Sequence, residues 1–225
     1  MNFKRALEVA TPLLLEGLGI TILVSLLAIL IGLVIGFLTC MMGRSKNIIP
    51  RAIAATYVWC VRGTPMIVQA FLMFFAFPQL IRTVNPAFTI TAFYAGLITL
   101  SLNAGAYMSE IFRGGIAAVS KGQIEASRSL GLSKTRTMLK IVLPQAFKIS
   151  IPSLVNQFII TIKDSSILSV IGLAEIVNQA KVYVGKTYDF FPTYILVALY
   201  YLVVISILMI LSKFLEKKLN YDKKS

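Results

Sequence analysis

The chain contains no histidine, two cysteines and one tryptophan among its 225 residues. Histidine is the commonest metal ligand and the commonest general acid or base near neutral pH, so its absence argues against both kinds of site. Cys40 and Cys60 lie in apolar segments, where we expect inert, buried thiols rather than a disulfide framework. The composition therefore predicts no metal site and no cofactor bound by this chain.

The sequence also lacks the motifs of an enzyme. No G-x-x-x-x-G-K-[ST] phosphate loop occurs, so any nucleotide on which the chain depends must bind elsewhere. A membrane enzyme such as a lipid-modifying transferase would usually show histidines, an acidic cluster or a nucleophile beside a base. We find no tight carboxylate pair, and we predict that the chain is not an enzyme.

Long apolar runs make up most of the chain. It is 57% hydrophobic, with a mean hydropathy of +0.82, whereas soluble domains are about 45–50% apolar. Because each span needs about 20 apolar residues, we predict an all-α, polytopic membrane protein with about five transmembrane helices in a single domain, residues 1–225. The predicted spans lie near residues 13–43, 48–81, 88–118, 149–166 and 190–216, with a polar segment at 120–148.

Basic residues cluster at the ends of the apolar runs and give a net charge of +13. We attribute this charge to anionic lipid headgroups and to topology, and we expect no nucleic-acid partner. Lys and Arg are concentrated after the first run, in segment 120–148 and at the C-terminus, whereas the alternate loops are nearly neutral. The positive-inside rule therefore predicts that the polar segment 120–148 and the C-terminus are cytoplasmic and that the N-terminus is outside.

The second apolar run is interrupted by Arg62-Gly63-Thr64-Pro65. Proline cannot donate the next helical hydrogen bond, and glycine loosens the backbone before it. Inside a bilayer, a broken helix is tolerated only where protein covers it or where it lines a cavity. We predict one span with a break on its protein-facing side.

The polar segment between the third and fourth runs has the features of a docking element. A helix over residues 123–130 would present the small residues Ala126 and Ser127 to close approach by another protein, with Glu125 as a charge for a basic partner. Gly131 permits a left-handed cap that ends the helix sharply. Ser133 can cap a second helix, predicted to be interfacial, amphipathic and bent at Pro144. A simple surface helix-turn-helix is the alternative interpretation.

The motif spacing resembles that of a known family. Glu125-Ala126-Ser127, Gly131, Ile141 and Leu143-Pro144 read E-A-S-x₃-G-x₉-I-x-L-P, which resembles the EAA loop of ABC-importer permeases with Ser127 in place of the usual second alanine. Further stretches resemble the polar amino-acid branch of that family, which includes histidine, glutamine and arginine importers. These stretches are Arg62-Gly63-Thr64-Pro65, Glu110-Ile111-Phe112-Arg113-Gly114-Gly115, Lys121-Gly122-Gln123 and Lys163-Asp164-Ser165-Ser166.

The resemblance implies a permease subunit of a type I ABC importer for polar, including basic, amino acids in the bacterial inner membrane. Its implied partners are a dimer of ABC ATPase subunits, a second permease chain, in a homodimer or a heterodimer, and an extracytoplasmic amino-acid-binding protein. ATP would be used by the partner ATPase, and transport would proceed by alternating access. The residues that the resemblance assigns to ATPase coupling are Glu125, Ala126, Ser127, Leu130 and Gly131.

Ionisable and polar residues within the predicted spans are the candidates for substrate binding. Asp164 offers a partner for an ammonium or guanidinium group, and Lys163 or backbone donors near Thr64 offer one for a carboxylate. The full set of candidates is Asp164, Lys163, Ser165, Asn103, Gln69, Thr64 and Glu110.

Simpler roles remain open for several of these candidates. Lys163 and Asp164 can be solvated at the outer membrane interface, and Asn103 can be an interhelical hydrogen-bond partner. Glu110 can pair with Arg113 one turn away, within a cytoplasmic gate or as a packing contact. An ATP-independent amino-acid carrier or channel is the alternative function, although neither explains the EAA spacing, and dependence on an ATPase would separate the two.

Overall fold

The computed structural model describes residues 3–221, which form helices joined by short connections and contain no β-strand. We number the continuous helical stretches α1 to α8. They are α1 (Phe3–Gly43), α2 (Ile48–Gly63), α3 (Met66–Arg82), α4 (Ala92–Ala117), α5 (Lys121–Ser129), α6 (Lys134–Ile171), α7 (Ile176–Thr187) and α8 (Phe190–Tyr221).

Three of these helices are long and apolar enough to cross a bilayer: α1, α6 and the Phe190–Phe214 part of α8. Helices α2 and α3 add a fourth span if they are counted as one broken helix, because the chain turns by 107° between them. The remaining predicted span corresponds to α4. Its 26 residues reach about 39 Å at 1.5 Å per residue, but its Asn, Ser, Thr and Gly residues lower its hydropathy.

The polarity of α4 is explained by its central position. It packs along α1 and α6, and half of its residues are buried, including Thr99, Ser101, Asn103 and Ser109. The three serine and threonine hydroxyls donate to backbone carbonyls three or four residues earlier, at 2.6–2.8 Å. A helix enclosed by other helices does not need the apolar surface of a lipid-facing one.

Three apolar clusters follow one another along α1 and hold the bundle together. The first third of α1 packs against α7 and α8, the middle third against α3, α4 and the end of α6, and the last third against α4 and the beginning of α6. In the last cluster the rings of Phe37, Phe112 and Phe147 lie with centroids 5.2–5.8 Å apart. Helix α1 is therefore the element that all other long helices share.

The structure differs from the predicted boundaries at α6. The sequence suggested an interfacial helix over residues 134–148 that is bent at Pro144, followed by a span near residues 149–166. Instead, a single helical stretch runs from Lys134 to Ile171 and passes through Pro144 by way of a π-helical turn at Met138–Val142. In that turn the backbone N–H of Leu143 donates to the carbonyl of Met138, five residues earlier.

Candidate substrate cavity and docking segment

A cavity of about 360 Å³ opens where the break between α2 and α3 meets α4 and α6. Three of the predicted substrate residues, Thr64, Asn103 and Asp164, contribute to its wall. The other lining residues are Pro65, Met66, Tyr107, Gln157, Ile160 and Ile167. Met66 and Ile167 were not among the residues singled out from the sequence, although Met66 directly follows Pro65 and Ile167 lies one turn beyond Asp164.

The helix break that forms one wall is held by the side chain of Gln69. Its amide nitrogen donates to the carbonyl oxygens of Val61, in the last turn of α2, and of Thr64, in the break, at 2.7 and 3.0 Å. Asn103 of α4 donates to the amide oxygen of Gln69 at 3.2 Å. Gln69 therefore replaces part of the missing backbone hydrogen bonding at the break and links the break to α4.

Asp164 reaches the cavity because α6 changes form at this residue. The α-helical part of α6 ends at Asp164, and Ser165–Ile171 continues as a 3₁₀ turn that closes with Gly172 in the left-handed region, at φ 79°. The tighter turn ends in the apolar cluster around Leu168 and Ile171. This packing holds the last residues of the α-helical part in place against the break.

Lys163 and Ser165 lie next to Asp164 in the chain but outside the cavity. Lys163 lines a different hollow, of about 270 Å³, with Ser166, Val177, Tyr201 and Ile205. Ser165 is fully buried, and its hydroxyl donates to the carbonyl of Ile162 at 2.8 Å. Neither side chain shares a wall with Asp164, since consecutive helical residues point about 100° apart.

Glu110 is the centre of a group of charges one turn beyond Tyr107. Its carboxylate accepts from Arg113, the shortest contact being 2.7 Å, and lies 3.5 Å from a guanidinium nitrogen of Arg62. Glu110 and Arg113 line a larger cavity of about 710 Å³ between α1, α2 and α4. The ion pair between Glu110 and Arg113 thus forms as the (i, i+3) spacing allows. Arg62, at the end of α2, adds a second positive charge beside Glu110.

The predicted docking segment folds as a short helix with a sharp end. Helix α5 is followed by Gly131 at φ 82°, and the backbone N–H groups of Gly131 and Leu132 donate to the carbonyls of Arg128 and Ser127, at 3.0 and 3.1 Å. This pair of bonds is the Schellman arrangement. The prediction of a left-handed cap at Gly131 is confirmed. Ser133 then caps α6 by accepting from the N–H of Arg136.

The exposed side of this helix includes Glu125, Ala126 and Leu130, the last with 83% of its surface exposed. Ser127 points the other way: it is 5% exposed, and its hydroxyl donates to Thr137 of α6 at 3.1 Å. Its small size therefore serves contact within this chain rather than the approach of another protein. Gln145 also donates to Gln123, which ties the docking helix to α6.

The expectation for Cys60 is wrong. Cys40 is buried, but Cys60 is exposed on α2 because much of that helix lies on the outside of the single chain. An apolar sequence environment could not distinguish the two, since residues that face lipid or another chain are as apolar as residues in the core.

With this geometry established, the comparisons with known proteins agree on the family. Residues 28–221 match the family described as "Binding-protein-dependent transport system inner membrane component". The chain belongs to this family. It is an inner-membrane permease subunit of a transport system, and its fold is that of the type I ABC permeases.

Individual relatives support the same assignment over nearly the whole chain. The glutamine transport system permease protein GlnP of Escherichia coli is 35% identical over 94% of both chains. The arginine transport system permease protein ArtQ of Bacillus subtilis is 38% identical over 93% of both chains. A chain of an amino-acid ABC transporter, whose crystal structure was determined with histidines, superposes with a TM-score of 0.89 at 35% identity, covering 97% of this chain and 99% of that one.

Proposed function

We propose that this permease carries polar, including basic, amino acids through the bilayer and that it binds them in the 360 Å³ cavity at the helix break. The observation that supports this proposal most directly is the position of Asp164. Asp164 lies in a wall that it shares with Asn103, Tyr107 and Gln157. Relatives whose names specify glutamine and arginine transport support the amino-acid class.

The cavity has the size and chemistry that an amino acid requires. Its volume lies within the range of about 300–1,000 Å³ typical of small-molecule sites. Asp164 can accept hydrogen bonds from an ammonium or guanidinium group, and the Asn103 and Gln157 amides offer both donors and acceptors. Apolar contacts come from Met66, Ile160 and Ile167.

The substrate carboxylate is assigned to the first turn of α3. This helix begins at Met66 in the cavity wall, and the residue before it, Pro65, provides no side-chain cap for its first N–H groups. The positive end of a broken helix is a suitable partner for a carboxylate in a membrane. Lys163, the alternative from the sequence, lines a different hollow and is not required.

The partners follow from the docking helix and from the absence of a phosphate loop in the sequence. One subunit of the ATPase dimer would contact the exposed side of α5 at Glu125, Ala126 and Leu130, with Gly131 fixing the end of the helix. A second copy of this chain and an extracytoplasmic binding protein complete the importer. ATP binding and hydrolysis take place on the partner, and α5 transmits the resulting motion through its bonds to α6.

Reconstitution tests this proposal. The permease, co-purified with its ATPase, is placed in liposomes, and the uptake of a panel of labelled amino acids is measured with the binding protein present. We expect uptake of polar or basic amino acids only with hydrolysable ATP. The control is an ATPase variant that lacks its catalytic carboxylate. Uptake in the absence of the ATPase would instead support a carrier or a channel.

A further inference from the structure

Two cavities follow one another along α4 and along the chain from α2 into the break. On α4, Tyr107 lines the smaller cavity and Glu110, one turn later, lines the larger one. On α2 and the break, Trp59 lines the larger cavity and Thr64 lines the smaller one. The boundary between the two therefore falls between residues 107 and 110 on one side and between 59 and 64 on the other.

The side chain of Arg62 crosses this boundary. Its guanidinium carbon lies 5.3 Å from the centroid of the Tyr107 ring, the geometry of a cation–π contact. The same guanidinium group lies 3.5 Å from the carboxylate of Glu110. Arg62 thus contacts one residue from the wall of each cavity, and both contacts join α2 to α4.

The Arg62 bridge is placed so that it can open. Arg62 is the second-last residue of α2, immediately before the break at which the chain turns by 107°. The side chains of Arg62 and Glu110 are 42% and 31% exposed, so water can replace the contact at low cost. Glu110 would keep Arg113 as a partner when Arg62 leaves, because that pair lies within α4.

We infer that Arg62, Glu110 and Tyr107 form a gate between the two cavities and that the substrate passes from the smaller to the larger when Arg62 releases Glu110. Arg62 acts here as a positioning residue that closes the passage, and it is not a ligand of the substrate. The inference rests on the proposed function, since the smaller cavity is the proposed substrate site. The larger cavity, with Arg44, Arg51 and Arg113 in its wall, is then the exit side.

The accessibility of the smaller cavity tests the gate without reference to any substrate. In the complete complex with its ATPase, Cys40 and Cys60 are replaced by serine, and Ile160→Cys places one thiol in the wall of the smaller cavity. A membrane-impermeant thiol reagent is added to the side that carries α5. We expect slow labelling with Arg62 present and labelling about fivefold faster in Arg62→Gln, the scale set by a partly exposed ion pair.

Arg113→Gln is the matched control, because it removes the other arginine from Glu110 without touching the link between α2 and α4. We expect its labelling rate to stay near that of the parent. Arg62→Lys, which keeps the charge, should restore slow labelling, and Glu110→Gln should open the passage from the other side. Equal rates in Arg62→Gln and Arg113→Gln would overturn the gate.

The variants also separate the gate from the transport proposal. If Arg62→Gln fails to assemble, Glu110→Gln carries the test, and an unchanged rate in that variant overturns the gate as well. Loss of ATP-dependent uptake in the parent would contradict the proposed function alone, because the labelling rate does not depend on transport.

Discussion

At the scale of single residues, Lys163 and Asp164 show how adjacent charges acquire different roles. Asp164 lines the cavity at the helix break, whereas Lys163 lines a separate hollow beside α7 and α8. The sequence predicted both as substrate residues, because helical periodicity alone does not tell which of two adjacent stripes faces a cavity. Which of the two residues faces the cavity depends on where the break lies relative to α6, and that position is set by tertiary packing.

Asp164→Asn is expected to reduce the uptake of cationic amino acids at least about tenfold, since a charge-assisted bond to the substrate is lost. The uptake of neutral polar amino acids should be reduced by a smaller factor. Initial rates of ATP-dependent uptake in proteoliposomes measure both classes. Lys163→Gln is the control and should affect the two classes alike. An equal loss of both classes in Asp164→Asn would mean that this carboxylate does not read the side-chain charge.

Glu175 is a second residue whose surroundings set its chemistry. It is fully buried between α6 and α7, where it accepts from the N–H groups of Val177 and Asn178, at 2.9 and 2.7 Å. Burial raises the pKa of Glu175 from 4.5 to about 7, against the opposing influence of these bonds and of the Lys181 charge. The folded chain therefore holds a proton that the unfolded chain releases near pH 4.5.

The stability that depends on Glu175 should be present in full below pH 4.5 and decline as the pH rises through 7. At about 1.4 kcal/mol per unit of pKa, the decline is on the order of 3 kcal/mol. The midpoint of thermal unfolding, measured in detergent from pH 4.5 to 8, should fall over this range. In Glu175→Gln the midpoint should depend less on pH. Parallel curves for the two proteins would contradict the assignment.

At the scale of elements, the docking helix α5 depends on the backbone of Gly131. An added Cβ would meet nothing within 4 Å, so only the left-handed φ of 82° restricts this position. Gly131→Val should strain the cap by about 1–2 kcal/mol or more and uncouple ATP hydrolysis from uptake. Gly131→Asn is the control, because asparagine tolerates this conformation. Normal coupling in Gly131→Val, measured as amino acid carried per ATP, would rule out the docking role.

Three prolines are each preceded by a π-helical turn, a feature that the sequence did not predict. The π-helical turns Ala6–Ala10, Leu72–Ala76 and Met138–Val142 each end two residues before a proline: Pro12, Pro78 and Pro144 respectively. A proline in a helix lacks an N–H and collides with the carbonyl four residues earlier. A widened turn just before it removes both conflicts, so the helix continues where a bend at Pro144 was expected.

Other elements could be predicted because their cause is local. The break at Gly63-Thr64-Pro65, the cap at Gly131 and the cap at Ser133 each follow from the conformational limits of one or two residues. The orientation of Ser127 and the exposure of Cys60 could not be predicted, because each depends on which neighbouring helix is present. Asn103 and Glu110 of α4 were both predicted as substrate residues, but their division between two cavities requires the position of Arg62.

The contact between α1 and α4 gives a prediction about stability. A Cβ at Gly36 would lie 2.7 Å from the Met108 Cβ and 2.9 Å from the carbonyl oxygen of Gly105, and neither atom can move freely. Gly36→Ala should therefore destabilise the protein by about 1–3 kcal/mol, despite the better helix propensity of alanine. Gly19→Ala, in open space on the same helix, should be neutral or slightly stabilising. Thermal unfolding of the two variants is measured under the same conditions. Equal unfolding midpoints for Gly36→Ala and Gly19→Ala would contradict the close packing of α1 against α4.

At the scale of the whole molecule, the number of spans determines the topology. Hydropathy identifies three or four spans, and α4 is the fifth only if an enclosed, polar helix also crosses the bilayer. The two connections at its ends differ in charge: residues 83–91 contain no Lys or Arg, whereas residues 118–133 contain Lys121 and Arg128. The positive-inside rule predicts that the second connection is cytoplasmic, and a spanning α4 would then put the first one outside.

Single thiols in a cysteine-free background test this arrangement. The two positions chosen are Asn85, in the connection before α4, and Ser129, at the end of α5, which follows α4. Both residues are exposed, and each is replaced by cysteine. An impermeant reagent should label Asn85→Cys in intact cells and Ser129→Cys only in inverted membrane vesicles. Labelling of both from one side would mean that α4 does not cross the bilayer, and it would place the N-terminus and the C-terminus on the same side of the membrane. The proposed entry and exit sides of the two cavities would then lose their basis.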